Sequence, residues 1–167
     1  MKKCCFIGHR EIEITKDLEN RLDELIERLI NNNDVNEFLF GSRSEFNSFC
    51  YDVVCRKQRK YPNIKRVAYL CKHEEVCLVG EGDKISKIYQ KITETKKSFA
   101  EYEEKKEFLK LMKAGRASYV ERNNLLIDDS DFVVLYLDTN KIRYKSGTYL
   151  AYEYALKSKK NIINVKE

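Results

Sequence analysis

Two neighbouring stretches decide how this chain folds: FVVLYL at residues 132–137 and KSGTYLAYEYA at residues 145–155. The first is a continuous apolar run, which is typical of a strand covered on both faces. A polar loop follows, and Ser-Gly-Thr then opens a segment with helical spacing. This succession predicts a helix N-terminus beyond the end of a buried strand, where unpaired backbone amides can bind an anion.

The N-terminal part of the chain shows the same alternation of strand and helix. Apolar runs predict strands, and apolar residues at helical spacing predict helices between them, in the order 3–7, 15–30, 37–40, 46–61 and 66–71. A β-α-β-α-β order requires right-handed crossovers and a parallel sheet. With the strand at 132–137 and a last short strand at 161–165, we expect an α/β fold with a mostly parallel central sheet.

The segment from about 72 to 115 interrupts this alternation. Its apolar residues follow a loose helical stripe among charges, which predicts a helical insertion made of one long helix or a helical pair. Stripes of this kind usually pack, so packing or dimerisation is favoured over a lid. We expect a homo-oligomer that associates through residues 84–113.

Length and composition favour a single globular domain. The chain has 167 residues with 43% apolar and 35% charged residues, enough to bury a core without disulfides or metal. The net charge is +5, but lysines are interleaved with acidic residues, which indicates a solvated surface more than a nucleic-acid-binding one. No apolar run reaches membrane-spanning length, and the N-terminus lacks a signal-peptide pattern, so we expect a cytoplasmic protein without a membrane partner.

The cysteines and histidines give little support for a metal site. The six cysteines show no Cys-x-x-Cys spacing and lie mostly in apolar runs, where reduced thiols act as small hydrophobes. The only histidines are His9 and His73. We therefore expect no metal, and no other cofactor, since neither Gly-x-Gly-x-x-Gly nor a P-loop sequence is present.

Three polar loops follow the predicted strands. They are Gly8-His9-Arg10, Gly41-Ser42-Arg43-Ser44-Glu45, and the loop that ends in Lys145-Ser146-Gly147-Thr148. Ligands bind at the carboxyl ends of strands in open parallel sheets, and these loops supply glycines, hydroxyls and positive charge. Each loop alone has an ordinary structural explanation, but together they predict a pocket for a phosphate-bearing small molecule.

Two carboxylates and three tyrosines close to these loops have open roles. Glu45 and Glu153 are candidate acid/base groups, although Glu45 also suits the first turn of a helix and Glu153 a solvated face. One of Tyr149, Tyr152 and Tyr154 could stack on a base, while at least two of them are expected to pack against the protein.

Several motifs together resemble the SLOG superfamily, most closely its small YpsA-like members. The motifs are Gly8-His9-Arg10, Phe38-Leu39-Phe40-Gly41, Glu121-Arg122-Asn123, Ser130-Asp131 and Ser146-Gly147-Thr148. The similarity covers nearly all of the chain except about 72–115. It implies a Rossmann-like three-layer sandwich, one domain over residues 1–167, that binds nucleotides or nucleotide-derived ligands.

More distant relatives within this resemblance carry out different functions. The Lonely Guy phosphoribohydrolases release a base from a nucleoside monophosphate, DprA binds DNA, and antiphage sensor domains bind cyclic ADP-ribose-type signals. Arg122 resembles an Arg that lies eight residues before Ser-Asp in the Lonely Guy pattern. Ala151, however, stands where that pattern has its catalytic Glu, which argues against glycosidic hydrolysis.

The sequence therefore predicts a non-catalytic or weakly catalytic binder of an ADP-ribose-type molecule or nucleoside monophosphate. It would serve as a sensor or a sequestering protein in phage defence or counter-defence. The alternatives are a phosphoribohydrolase that uses Arg122 with Glu45 or Glu153, and DprA-like DNA binding. The predicted ligand-binding residues are Gly8, His9, Arg10, Gly41, Ser42, Arg43, Ser44, Arg122, Asn123, Lys145, Ser146, Gly147 and Thr148.

Overall fold

A computed structural model describes residues 1–41, 44–70, 94–97, 116–141 and 146–167 of the chain. The strands are β1 (Lys2–Gly8), β2 (Val35–Phe40), β3 (Lys65–Leu70), β4 (Glu94–Lys97), β5 (Phe132–Tyr136) and β6 (Asn161–Asn164). The helices are α1 (Lys16–Asn33), α2 (Glu45–Lys60), α3 (Arg116–Asp128) and α4 (Gly147–Lys157), with a 3-10 turn at Thr139–Lys141.

The strands form one six-stranded sheet in the order β4-β3-β2-β1-β5-β6. Every pairing in it is parallel. Strand β1 lies in the interior, with Cys5 opposite Leu39 of β2 on one side and opposite Val133 of β5 on the other. The strand order therefore reverses at β1, and the predicted Rossmann-like α/β fold is confirmed.

Alternating side chains of the strands fill two separate cores, one on each face of the sheet. On the first face, α1 and α2 cover Phe6, Phe38 and Phe40, and the ring of Phe6 stacks on the other two at centroid distances of 6.0 and 5.3 Å. On the second face, α3 and α4 cover Cys5 and Leu135, among other residues. Helices on both faces explain why β5 and the part of β1 from Cys4 onward are apolar.

Local signals set the helix ends. The Thr15 hydroxyl accepts a hydrogen bond from the Leu18 N–H at 3.1 Å and so caps α1. Asp34 ends that helix in the left-handed region with φ 58°. Helices α1, α2 and α4 match the sequence-based expectations, apart from shifts of a few residues at their ends.

The predicted helical insertion at about 72–115 lies mostly outside the described residues. The part that is described is β4, which pairs in parallel with β3, with Ala68 opposite Thr95. One uninterrupted helix through this segment is therefore wrong. Without β4, the outer edge of β3 would carry backbone N–H and C=O groups that lack partners. Pairing with β4 gives these groups hydrogen bonds. The predicted association surface at 84–113 lies outside the described residues except for these four.

Cysteine thiols are buried in the core. Cys4, Cys5 and Cys50 are each 0% exposed and reduced. Burial raises the pKa of all three thiols, that of Cys5 to about 12. Among the described residues, no group of His, Cys, Asp and Glu is arranged to hold a metal ion.

No helix in the part of the chain that the structure describes combines the length and the apolar character that crossing a bilayer requires.

An ion-pair network connects α1 to α2. The Lys57 ammonium donates to Asp23 at 2.6 Å and also to Glu27, whose carboxylate accepts further hydrogen bonds from Lys60 and Tyr61. Hydrogen bonds from Lys57, Lys60 and Tyr61 lower the pKa of Glu27 from 4.5 to about 2. The ionised carboxylate therefore stabilises the contact between the two helices.

We expect Glu27→Gln to lower the free energy of unfolding by about 1–2 kcal/mol near neutral pH. The pKa of Glu27 is lower in the folded state than its usual 4.5, so this stabilisation is complete above about 4.5 and is lost as the pH falls toward 2. Urea titrations of wild type and variant at about pH 7 and about pH 3 measure their unfolding free energies. The difference between the two proteins should be smaller by about half or more at the lower pH.

The matched control for this test is Asp17→Asn, which breaks an exposed pair with Arg21 on α1. It should change the unfolding free energy by less than about 0.5 kcal/mol. If the difference in unfolding free energy between wild type and Glu27→Gln does not change with pH, the stabilising role of the ionised Glu27 carboxylate is contradicted.

Candidate functional site

A cavity of about 570 Å³ opens at the carboxyl end of β1, where the strand order reverses. Its lining comes from the end of β1 and the loop after it, from the N-terminal ends of α2 and α4, and from α3. The lining residues are Ile7, Gly8, His9, Arg10, Ser44, Tyr119, Val120, Arg122, Asn123, Ser146, Gly147 and Thr148.

The last residue of β1 is Gly8, and the packing around it leaves no room for a side chain. A Cβ on Gly8 would lie 2.4 to 2.7 Å from side-chain atoms of Phe46, in the first turn of α2. Phe46 is fully buried and packs on the ring of Tyr136 at a centroid distance of 5.6 Å. The glycine thus allows the N-terminal end of α2 to lie directly against the end of the strand.

His9 connects the loops that follow β1 and β5. Its Nε2 accepts a hydrogen bond from the backbone N–H of Asp138 at 3.0 Å, which requires that this nitrogen carry no proton. The imidazole also meets the ring of Tyr136 edge-on, with centroids 6.1 Å apart. These contacts fix the first loop against the end of the neighbouring strand.

The N-terminal end of α2 is tied to the same loop. Ser44 caps the helix by accepting from the Asn47 N–H at 3.1 Å, and the Glu45 N–H donates to the carbonyl of Arg10 at 2.9 Å. The Glu45 carboxylate accepts from the Ile12 N–H at 2.9 Å. Glu45 therefore holds the loop in place, and its side chain does not line the cavity.

The N-terminal end of α4 faces the cavity from the other side of the sheet. Ser146 caps the helix by accepting from the Tyr149 N–H at 3.1 Å. The N–H groups of Gly147 and Thr148 have no helical carbonyl four residues before them to donate to, so helical geometry leaves them available to a ligand. A Cβ on Gly147 would meet nothing within 4 Å. This end of the helix carries a partial positive charge beside open space.

Helix α3 supplies two buried polar residues of the cavity. Arg122 is 2% exposed and Asn123 is 8% exposed. The Arg122 guanidinium lies 5.1 Å from the ring centre of Tyr119, one helical turn earlier. Gly41 makes room for this arginine, since a Cβ there would be 3.1 Å from Arg122 Cδ and 2.7 Å from the Tyr69 carbonyl oxygen.

Most of the predicted ligand-binding residues that the structure describes share this one cavity. They are Gly8, His9, Arg10, Ser44, Arg122, Asn123, Ser146, Gly147 and Thr148, while Gly41 packs behind Arg122. Ser42, Arg43 and Lys145 lie outside the described residues. Their predicted roles are not addressed by the geometry.

Other candidates lie away from the cavity. Glu153 is exposed on α4 and is not part of the lining. None of Tyr149, Tyr152 and Tyr154 lines it either, and the Tyr154 hydroxyl donates to Asp128 at 2.9 Å. The tyrosine that does line it is Tyr119, which sequence reasoning missed, although its position three residues before Arg122 puts both on one helical face.

The described lining has the electrostatics of an anion site. Arg10 and Arg122 contribute two cationic side chains, and two helix N-terminal ends add partial positive charge from opposite faces of the sheet. The lining residues in the described ranges include no carboxylate. A ligand with one or two phosphates would be complementary to this charge.

A scan against models of known protein families found no match, and a search of curated protein sequences found none either.

We expect Gly8→Ala to lower the free energy of unfolding by about 1–3 kcal/mol, because the added methyl overlaps the buried Phe46 ring. Gly147→Ala is the matched control, since the same methyl there enters open space. It should change stability by no more than about 0.5 kcal/mol. Chemical denaturation of both variants measures the effect, and equal costs at the two glycines would contradict the described packing.

Proposed function

We propose that this protein binds a nucleotide or nucleotide-derived small molecule, of the nucleoside monophosphate or ADP-ribose type, as a sensor or a sequestering protein. The observation that carries the proposal is the cavity at the end of β1, around which two capped helix N-terminal ends and two arginines converge. Such an arrangement suits an anion held by backbone amides at the edge of a parallel sheet.

Phosphate recognition would centre on α4. The amides of Gly147 and Thr148 point out of the first turn of an 11-residue helix, and the hydroxyls of Ser146 and Thr148 lie beside them. Arg10 is exposed and lines the same cavity, on the loop after β1. Charge-assisted hydrogen bonds from a guanidinium and helix amides are the usual means of holding phosphate.

The cavity also offers aromatic and apolar surface for the less charged part of such a ligand. Tyr119 offers an aromatic face, and Ile7 and Val120 offer apolar surface. The volume of about 570 Å³ lies within the range of small-molecule sites and accommodates a nucleotide. Together these residues and the cationic part of the lining suit a molecule that carries both phosphate and a base.

The resemblance to SLOG proteins supports the same ligand class. Its motifs Gly8-His9-Arg10, Arg122-Asn123 and Ser146-Gly147-Thr148 fall on three separate elements that surround the cavity. A role in phage defence or counter-defence is part of the proposal through this resemblance alone.

Binding without hydrolysis is the form of the proposal that the described residues favour. The Glu45 carboxylate already accepts from the Ile12 amide, and Glu153 is exposed on α4. Ala151, at the position where the phosphoribohydrolase pattern places its glutamate, is buried against the sheet. These placements support retention of the ligand over cleavage of its glycosidic bond.

We expect a bound nucleotide-type ligand to be released intact. The purified protein would be denatured after incubation with adenosine monophosphate or ADP-ribose, and the supernatant analysed by chromatography and mass spectrometry. Recovery of the unchanged compound in proportion to protein supports binding. Accumulation of free adenine with time would instead assign a hydrolase, and failure to retain either compound would contradict the proposed ligand class.

We expect Arg10→Ala to weaken adenosine monophosphate binding by about 10-fold or more, because a charge-assisted hydrogen bond to phosphate is lost. Arg59→Ala is the control. It removes the same charge from an exposed position in the last turn of α2, about 20 Å along the helix from its N-terminal end. Isothermal titration of both variants measures the effect. Equal losses would mean that net charge alone attracts the nucleotide and that the cavity does not hold its phosphate.

A further inference from the structure

Asn123 is a polar residue buried in the wall of the cavity. It is 8% exposed, it lies on α3, and it forms part of the cavity wall. Its Oδ1 is buried and has no hydrogen-bond partner among the described residues. The acceptor is therefore withheld from bulk water, on a residue that lines the cavity.

An arrangement of this kind is costly for the ligand-free protein. A buried acceptor without a partner loses its hydration and regains nothing in exchange. Asparagine is also a poor residue for a helix interior, where its side chain competes with the backbone for hydrogen bonds. Alanine or leucine would suit this position in α3 better on both counts, so stability of the fold does not explain an asparagine here.

The surroundings of Asn123 indicate what could use this acceptor. Arg122, its neighbour in sequence, supplies positive charge to the same cavity, and the first turn of α4 lies in the same lining. These elements supply groups that bind an anion. What the Asn123 Oδ1 lacks is a hydrogen-bond donor. A carboxylate or phosphate oxygen cannot fill that role, since it has no proton to donate.

We propose that Asn123 is a specificity-determining residue whose Oδ1 accepts a hydrogen bond from a donor on the ligand. This inference rests on the proposed nucleotide-binding function and extends it. A nucleotide carries two kinds of donor, the hydroxyls of its sugar and the exocyclic amine of its base. A site with a buried acceptor binds the compound that carries the donor and discriminates against the analogue that lacks it.

The test compares four probes with the wild-type protein and with Asn123→Leu and Asn123→Ala. The probes are adenosine monophosphate, its 2′-deoxy and 3′-deoxy analogues, and purine riboside monophosphate, which lacks the amine. Wild type should bind at least one of the three analogues about 10-fold more weakly than adenosine monophosphate. Both variants should bind all four probes with affinities within about threefold of one another, because the acceptor is gone.

Thermal unfolding without nucleotide provides the second readout. Both variants should melt at or above the wild-type temperature, because each removes a buried acceptor that has no partner. A clear drop in melting temperature, or failure of both to fold, would show that Asn123 is needed for the fold and would overturn the inference.

The binding data separate this inference from the function on which it rests. If wild type binds all four probes equally, or if the variants keep the wild-type preference, the role of Asn123 is refuted while nucleotide binding stands. If wild type binds none of the probes, the inference fails, and the nucleoside monophosphate form of the proposed function fails with it. The analogue that loses affinity identifies the donor as a sugar hydroxyl or the base amine.

Discussion

The pairing of β1 with β2 on one side and with β5 on the other is the constraint on which the candidate site depends. Because all pairings in the sheet are parallel, the chain leaves every strand at the same edge. The helices that follow β2 and β5 then lie on opposite faces of the sheet. Their N-terminal ends flank the end of β1, and the cavity forms between them.

Main-chain contacts hold the lining in place before any ligand binds. The carbonyl of Arg10 and the amide of Ile12 are both tied to Glu45, while His9 accepts from the amide of Asp138. Each contact joins two loops that approach the cavity from different strands. The described part of the lining is therefore pre-organised, which lowers the cost of ordering it when a ligand binds.

Residues of one motif serve the fold as well as the site. The Ser130 hydroxyl donates to the carbonyl of Leu126 at 2.7 Å, and the Asp131 carboxylate accepts from the Lys3 N–H at 2.9 Å. These contacts end α3 and connect it to the first strand. The Ser-Asp pair thereby holds the C-terminal end of α3, the helix that carries Arg122, beside the first strand.

The sequence was sufficient to predict those elements whose apolar pattern matches their burial. The continuous run at β5 and the helical spacing of α1 both correspond to what the core requires. Strand β4 was missed because ETKK carries no apolar alternation and forms by backbone pairing at a sheet edge. In the site, the glycine at the end of β1 marked a loop that lines the cavity, but the reason for Gly8 depends on Phe46, which only the folded packing brings near.

Side-chain roles in the site were harder to predict from the sequence. Spacing placed Glu45 beside a ligand loop, but it could not show that the carboxylate is occupied by the Ile12 amide. Tyr119 was missed because it is distant in sequence from the predicted ligand-binding loops, whereas the tyrosines of α4 directly follow one of them. Three-dimensional position, set by how α3 crosses the sheet, decides which aromatic ring reaches the cavity.

The thiols buried in the two cores make this protein its own reporter of unfolding. Only a thiolate reacts quickly with alkylating reagents, and Cys4, Cys5 and Cys50 are both inaccessible and protonated in the folded chain. Modification at these positions can then proceed only through molecules that have transiently opened. The labelling rate at these three positions would thus report how often the protein opens on either face of the sheet, without an engineered probe.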